Sequence, residues 1–265
     1  MTDRRLYLIR HARPDYDSTD HADTPLGRQY DPPLGEVGLE QAERLAARLQ
    51  LLPRPAAVYS SPLARARQTA HVYADRIGIA VIEHDDLCEW FAGEWEAKDF
   101  EQIFLEHPEA IDLFRNQNPA WHLAPGSERA GDFQQRCVAA IDRIIEAEPS
   151  GDVVVVAHGG VINAYFSHIL GIEDQDMFFL PENTSLNTVV IRGEERLAWF
   201  LSDASHLTDP GWFEPRAHEH DLAEEADRPP ILVPGARTLL EADANREGDP
   251  VRWPLSSSPR SGPMP

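Results

Sequence analysis

Two histidines of this 265-residue chain stand in the same context. His11 follows the run "RLYLI" (5–9) with only Arg10 between, and His158 directly follows "DVVVVA" (152–157). Each sits where a β-rich run ends, and ligands of open α/β sheets bind beyond the carboxyl ends of the strands. Both histidines therefore belong on one rim of a sheet. A third run, in "VYSSPLARARQTA" (58–70), ends at Ser60 and Ser61 and leads into a helix carrying Arg65 and Arg67. Gly159 and Gly160 follow His158, where glycine lets backbone N–H groups approach an anion at a helix N-terminus. Histidines and arginines on converging strand ends suggest a phosphate site, because the planar guanidinium fork holds two phosphate oxygens at once.

A neutral imidazole nitrogen can attack phosphorus and form a covalent intermediate. That nitrogen must be unprotonated, and a backbone carbonyl bonded to the other ring nitrogen would fix the tautomer. The departing alkoxide then needs a proton. The stretch "DLCEWFAGEWEAK" (86–98) offers Glu89, Glu94 and Glu96 beside aromatic residues, and a carboxyl set among rings can serve as general acid. Trp90, Phe91 and Trp95 either line a substrate pocket or pack a core, the commoner use of such rings. Arg13 is either a further phosphate contact or a surface charge. His218 and His220 read as solvated residues rather than metal ligands.

The elements that must carry these groups alternate along the chain. Strands are expected at 5–9, 56–60, 80–83 and 152–157, the last a continuous β-branched run suited to burial on both faces. Helical periodicity covers 36–52, 62–78, 98–107, 130–147 and 161–171. Two late strands, "SLNTVVIR" and "RLAWFLS", are joined by the turn "GEE". This alternation argues for an α/β fold, a three-layer sandwich with a largely parallel mixed sheet flanked by helices.

Composition changes after residue 205. Residues 206–265 hold ten of the 22 prolines and acidic clusters such as "EHDLAEEAD", so a catalytic domain over 1–205 and a partly disordered C-terminal extension over 206–265 are expected. A net charge of -21 argues against nucleic acid and anionic membrane partners. Two cysteines, Cys88 and Cys137, without a CxxC argue against a disulfide scaffold or a cysteine-rich zinc site. The N-terminal apolar run is too short for a signal peptide, and no segment approaches the ~20 apolar residues of a membrane span. The expectation is a soluble cytoplasmic protein.

Five blocks, in order, resemble the histidine phosphatase superfamily, also called the phosphoglycerate mutase-like family. They are "LIRHARP", "DPPLGEVGLEQAERLAARL", "VYSSPLARARQTA", "LCEWFAGEWEA" and "VVVVAHGGVINAY", spanning roughly residues 5 to 165. Any single block is weak; the joint match is specific. The resemblance implies that His11 is the phosphoryl-accepting nucleophile, that Arg10, Arg65 and His158 bind the transferring phosphoryl group, and that Glu89 is the proton donor. It implies no metal and no cofactor, a small phosphorylated substrate, and a monomer or homodimer. The sequence departs from the family pattern at Ala12, where a glycine is usual, and at Pro14, Asp17, Gly35 and Ala97. The departures bear on substrate contacts more than on the chemistry.

The leading expectation is a phosphomonoesterase acting through phosphohistidine. A cofactor-dependent phosphoglycerate mutase is the first alternative. Mutases of this family carry a longer basic and aromatic segment after the glutamate, where "EWFAGEWEAK" has only Lys98. A non-catalytic module binding a phosphorylated ligand is the second, and a protein phosphohistidine phosphatase the third.

Overall fold

The computed structural model describes residues 3–96, 98, 100–115, 123–172 and 178–207. The expected extension lies outside the described residues from 208 onward, as do His218, His220 and Ala97.

Six strands form the central sheet: β1 (Arg4–Arg10), β4 (Ala57–Ser60), β5 (Val81–Glu83), β6 (Val153–Ala157), β7 (Leu186–Arg192) and β8 (Glu195–Asp203). Their spatial order is β5-β4-β6-β1-β7-β8. The first four are mutually parallel, and β7 and β8 run antiparallel to β1 and to each other. A separate hairpin pairs β2 (His21–Thr24) with β3 (Gly27–Tyr30). Sequence patterning did not anticipate it, because "HADTPLGRQY" has no apolar alternation; its buried residue is the polar Gln29.

The β-strand period of two sorts the central residues into two layers. Leu6, Leu8, Val153 and Val155 face α5 (Ala130–Ala147) and α6 (Gly159–Leu170), meeting Phe133, Ile141, Ile144, Tyr165 and Phe166. Tyr7, Ile9, Val154 and Val156 face α1 (Glu36–Leu49) and α2 (Ala64–Ile77), meeting Leu45, Leu49, Ala70 and Tyr73. The continuous run "VVVV" is thus apolar because both of its faces are covered. Burying each such side chain stabilises by about 1.5–3 kcal/mol, more than an exposed ion pair contributes. Helix α2 ends at Gly78 with φ +63, a left-handed cap. The helix expected over 98–107 is α3 (Phe100–Glu106), and a further helix, α4 (Pro108–Arg115), opens on proline, whose missing N–H costs nothing at a first helical position. Among the described residues no helix is long and apolar enough to cross a membrane.

Topology brings three strand ends together. β1, β6 and β4 are neighbours running the same way, so His11, His158 and Ser61 leave the sheet at one rim. The ladder continues into that rim: His11 N–H donates to Ala157 O at 2.9 Å and Ser61 N–H to Val156 O at 3.0 Å.

The chain beyond His11 is pressed against α1. Arg13 N–H donates to Gln41 Oε1 at 2.9 Å, and Arg13 O lies where a Cβ on Gly38 would be. Only glycine permits that approach. We expect Gly38→Ala to destabilise the fold by about 1–3 kcal/mol, the range for overpacking against backbone, with a lower urea midpoint and an unchanged slope. An unshifted midpoint would show that the loop relaxes freely.

Candidate active site

His11 is almost fully buried where β1 ends. Its Nδ1 lies 2.7 Å from Ala12 O. A carbonyl only accepts, so Nδ1 carries the ring hydrogen and Nε2 keeps its free electron pair. Burial, then the charges of Arg65 and Arg10, hold the pKa of His11 well below its ordinary 6.5. The backbone around the residue is held from the far side by the segment before β7. Asn183 Nδ2 donates to His11 O at 2.9 Å, and Thr184 N–H to Arg10 O at 3.0 Å. Thr184 takes φ +59, a left-handed conformation costly for a β-branched residue, and its Oγ1 lies 3.0 Å from His206 Nε2.

His158 caps α6 and is fully buried, its ring centroid 5.1 Å from that of His11. Nε2 lies 2.8 Å from Ser61 Oγ. That hydroxyl also accepts Leu63 N–H at 3.3 Å; when its own hydrogen points at Nε2, the ring hydrogen of His158 lies on Nδ1. Nδ1 is buried without a partner. Burial, then Arg65 and His11, push the pKa of His158 well below 6.5.

Two arginines join this pair. Arg65, in the first turn of α2, donates from Nη1 to Tyr30 O at 3.1 Å and lies 3.6 Å from Asp31 Oδ1. Asp31 Oδ1 also accepts Ala64 N–H at 2.7 Å, so one buried carboxylate holds both the start of α2 and its arginine. Arg10 donates from Nη1 to Pro181 O at 2.6 Å, while its Nε is buried without a partner. Arg10 Nε and His158 Nδ1 are thus two buried nitrogens that no group among the described residues partners. Buried donors are almost always paired, so their orphaned state points to a ligand rich in acceptor oxygens.

Glu89 completes the arrangement. Its Oε1 accepts Trp90 N–H at 2.9 Å and its Oε2 accepts Gly160 N–H at 3.1 Å. The carboxylate occupies the space a Cβ on Gly160 would fill. The group that the glycines after His158 admit to the α6 N-terminus is therefore the chain's own Glu89 carboxyl. The field of Glu89 reaches Arg65. Glu96 accepts Tyr30 N–H and Ala92 N–H, both at 2.8 Å, tying the hairpin to the glutamate loop, and burial raises its pKa. Glu94 N–H donates to Pro125 O at 3.0 Å. Glu89 alone of the three carboxylates bonds the backbone of α6, whose cap is His158.

Other singled-out residues lie apart or serve packing. Arg67 is half exposed and 3.9 Å from Glu83. Lys98 pairs with Glu106 at 2.7 Å. Trp95 is buried in a small cluster with Ile103 and Ala110, and Trp90 stacks on Phe133 at 5.2 Å. Ala12 is accommodated: its N–H donates to Thr69 Oγ1 at 3.0 Å and its methyl packs with Leu34 and Ala42. Asp17 is exposed, its N–H bonded to Asp15 Oδ1 at 3.1 Å. Sequence reasoning overlooked Ser61, Asp31, Gln29 and Asn183 as site residues. The first two stood inside the quoted blocks; Gln29 and Asn183 carried no local signal.

The model of the histidine phosphatase superfamily (branch 1) matches residues 6–202. A metal-independent phosphoserine phosphatase of Arabidopsis thaliana is 31% identical over 210 residues, 79% of this chain and 85% of that protein. A glucosyl-3-phosphoglycerate phosphatase of Mycobacterium tuberculosis is 31% identical over 179 residues, 64% of this chain and 77% of that one. The solved structure of Bacillus stearothermophilus YhfR superposes with a TM-score of 0.67 at 28% identity, covering 77% of this chain and 98% of that one.

Because both ring pKa values are depressed by folding, the unfolded chain binds more protons below about pH 6.5. Stability is therefore fully present above that pH and falls as the pH drops through and below it. We expect the ring NMR signals of His11 and His158 to stay unchanged from about pH 8 to 5.5 while the urea midpoint declines below about pH 6.5. Titration of either ring with a midpoint near its ordinary value would contradict the assignment.

Proposed function

The chain belongs to the histidine phosphatase superfamily, and from that premise we propose that it hydrolyses small phosphate monoesters through a phosphohistidine on His11. The observation that carries this reading is the His11 ring, buried and neutral, with Nδ1 tied to Ala12 O and Nε2 free. Nε2 attacks phosphorus as the ester P–O bond breaks. Arg10, Arg65 and the Nδ1–H of His158 hold the three phosphoryl oxygens, and Glu89 gives its proton to the departing alkoxide. Water then attacks the phosphohistidine, Glu89 takes its proton, the P–N bond breaks and inorganic phosphate leaves. Catalysis rests on positioning and on fixed charge around the phosphoryl oxygens. The curated relatives support the class of ester: one is named for phosphoserine and one for glucosyl-3-phosphoglycerate, both small phosphorylated metabolites. Lys98, engaged with Glu106, is the single basic residue where mutases carry a basic segment, which favours hydrolysis over transfer.

A panel containing p-nitrophenyl phosphate, phosphoserine and glucosyl-3-phosphoglycerate, assayed in EDTA, tests the proposal. Turnover is expected without added metal, and acid-sensitive, base-stable radiolabel is expected on His11 after quenching. His11→Ala should lower kcat by more than about a thousandfold. Phosphate binding without turnover of any ester would favour a binding module, and dependence on a bisphosphorylated primer would favour a mutase.

A further inference from the structure

Arg136 lies on α5, outside the rim, and bonds to none of the groups that face phosphate. Its side chain is nevertheless only 11% exposed and uses three of its nitrogens in four hydrogen bonds. Nε and Nη2 meet the two carboxylate oxygens of Glu128 at 2.8 and 2.7 Å. Nη1 donates to Asp86 O at 2.8 Å and to Cys88 O at 2.9 Å. Glu128 in turn grips the loop on the other side of Glu89. Its carbonyl accepts Trp90 Nε1–H at 2.8 Å, and its N–H donates to Phe91 O at 2.9 Å. The pair therefore fastens residues 86, 88, 90 and 91, and Glu89 lies between the anchors at 88 and 90. The remaining contacts run the same way. Trp90 stacks on Phe133, one turn before Arg136, and the Arg136 guanidinium sits 5.0 Å from the centre of that same ring.

We propose that the largely covered Arg136–Glu128 pair is a positioning device that holds the Glu89 carboxyl over the α6 N-terminus and so sets how basic a leaving group the enzyme can expel. This rests on the reading of Glu89 as proton donor. Arginine is required by geometry: only a planar fork can serve a carboxylate and two backbone carbonyls at once, and a lysine ammonium cannot reach all four acceptors. The loop has no regular secondary structure beyond short 3-10 turns, so without the pair its backbone carbonyls lose their partners and the carboxyl loses its fixed aim. Displacing a catalytic group by an ångström can cost a hundredfold, although nothing that binds phosphate has moved.

The leaving group separates this role from a merely structural one. p-Nitrophenolate is weakly basic and departs without a proton; the alkoxide of β-glycerol phosphate is strongly basic and needs one. Arg136→Lys and the charge-paired double variant Arg136→Met with Glu128→Gln are compared with Glu89→Gln and wild type. The measurements are kcat/KM on both esters, which covers only the steps up to departure of the alcohol, inorganic phosphate affinity by calorimetry, and thermal unfolding. We expect the ratio of alkyl to aryl kcat/KM to fall at least about tenfold in both Arg136 variants and about a hundredfold or more in Glu89→Gln, with phosphate affinity in the Arg136 variants within about twofold of wild type. Equal losses on both esters in the Arg136 variants, while Glu89→Gln shifts the ratio, would overturn the positioning role and leave the phosphatase reading intact. An unshifted ratio in Glu89→Gln would remove Glu89 as the acid and the proposal with it. Should the double variant fail to fold, Arg136→Lys, which keeps the charge and loses the fork, decides.

Discussion

Setting the buried Arg65 and the partly buried Arg10 beside two buried imidazoles makes a pocket that is positive without being acidic, and the rest of the site depends on that combination. Burial is the largest cause that keeps both imidazoles neutral, and the charges of Arg65 and Arg10 reinforce it. In the proposed reaction a protonated His11 would have no electron pair to offer, so the arginines that would hold the phosphate also help keep the proposed nucleophile neutral. An unpartnered buried polar atom costs about 1–3 kcal/mol, and in the proposed reading phosphoryl oxygens partner Arg10 Nε and His158 Nδ1. Such a pocket is a poor place for anything but an anion with several acceptors. It is also local: the chain as a whole is at -21, so attraction of a small anion depends on these few groups rather than on the overall field.

The supporting contacts are mostly backbone carbonyls and one carboxylate, which orient the cations without neutralising both. Arg65 leans on Tyr30 O and Asp31, and Arg10 on Pro181 O. Asp31 sits 3.6 Å from Arg65, and burial raises its pKa. Its short bond goes to Ala64 N–H, so it spends much of its strength holding the start of α2 and leaves the guanidinium free for a ligand. Glu89 follows the same logic in reverse. Its two acceptor bonds come from backbone N–H groups, so the carboxyl is aimed without being paired to an arginine.

The parts of this arrangement that were legible in the sequence are those governed by local pattern. "VVVV" announces a strand covered on both faces, and the apolar period of 36–52 announces α1; with right-handed crossovers these put His11 and His158 on one rim. The groups that hold the catalytic residues were hidden because their partners are distant. Asn183 is 172 positions from the His11 carbonyl it bonds, and Arg136 is 50 and 48 positions from the two carbonyls it clamps. The hairpin β2–β3 was illegible for a different reason: it is held by polar contacts of Gln29 and Tyr30 rather than by an apolar face. The glycines at 159–160 read as making room for a bound anion; in the structure the room at Gly160 is taken by the Glu89 carboxyl, a partner 71 positions away that sequence alone could not name.

The departures from the family pattern take on a different weight in three dimensions. Ala12 replaces a glycine, yet its methyl fills a small apolar niche between Leu34 and Ala42 and its N–H keeps a partner, so the nucleophile's neighbourhood tolerates it. Asp17 is exposed and bonded to its own turn. Neither disturbs the phosphate pocket, so neither argues for lost chemistry. The region where this chain can differ in what it accepts is the join between the hairpin and the glutamate loop. Gln29 Nε2 donates to Glu89 O at 3.0 Å, Tyr30 N–H to Glu96 at 2.8 Å, and the Phe91 ring covers Gly27, whose φ of +140 and missing side chain permit the contact. The same hairpin supplies Tyr30 O to Arg65. A ligand that displaced the hairpin would disturb Arg65 and Glu89 together. In the proposed reading this couples fit of the organic part of an ester to the chemistry at its phosphate, so that specificity would be expressed through kcat as well as through binding.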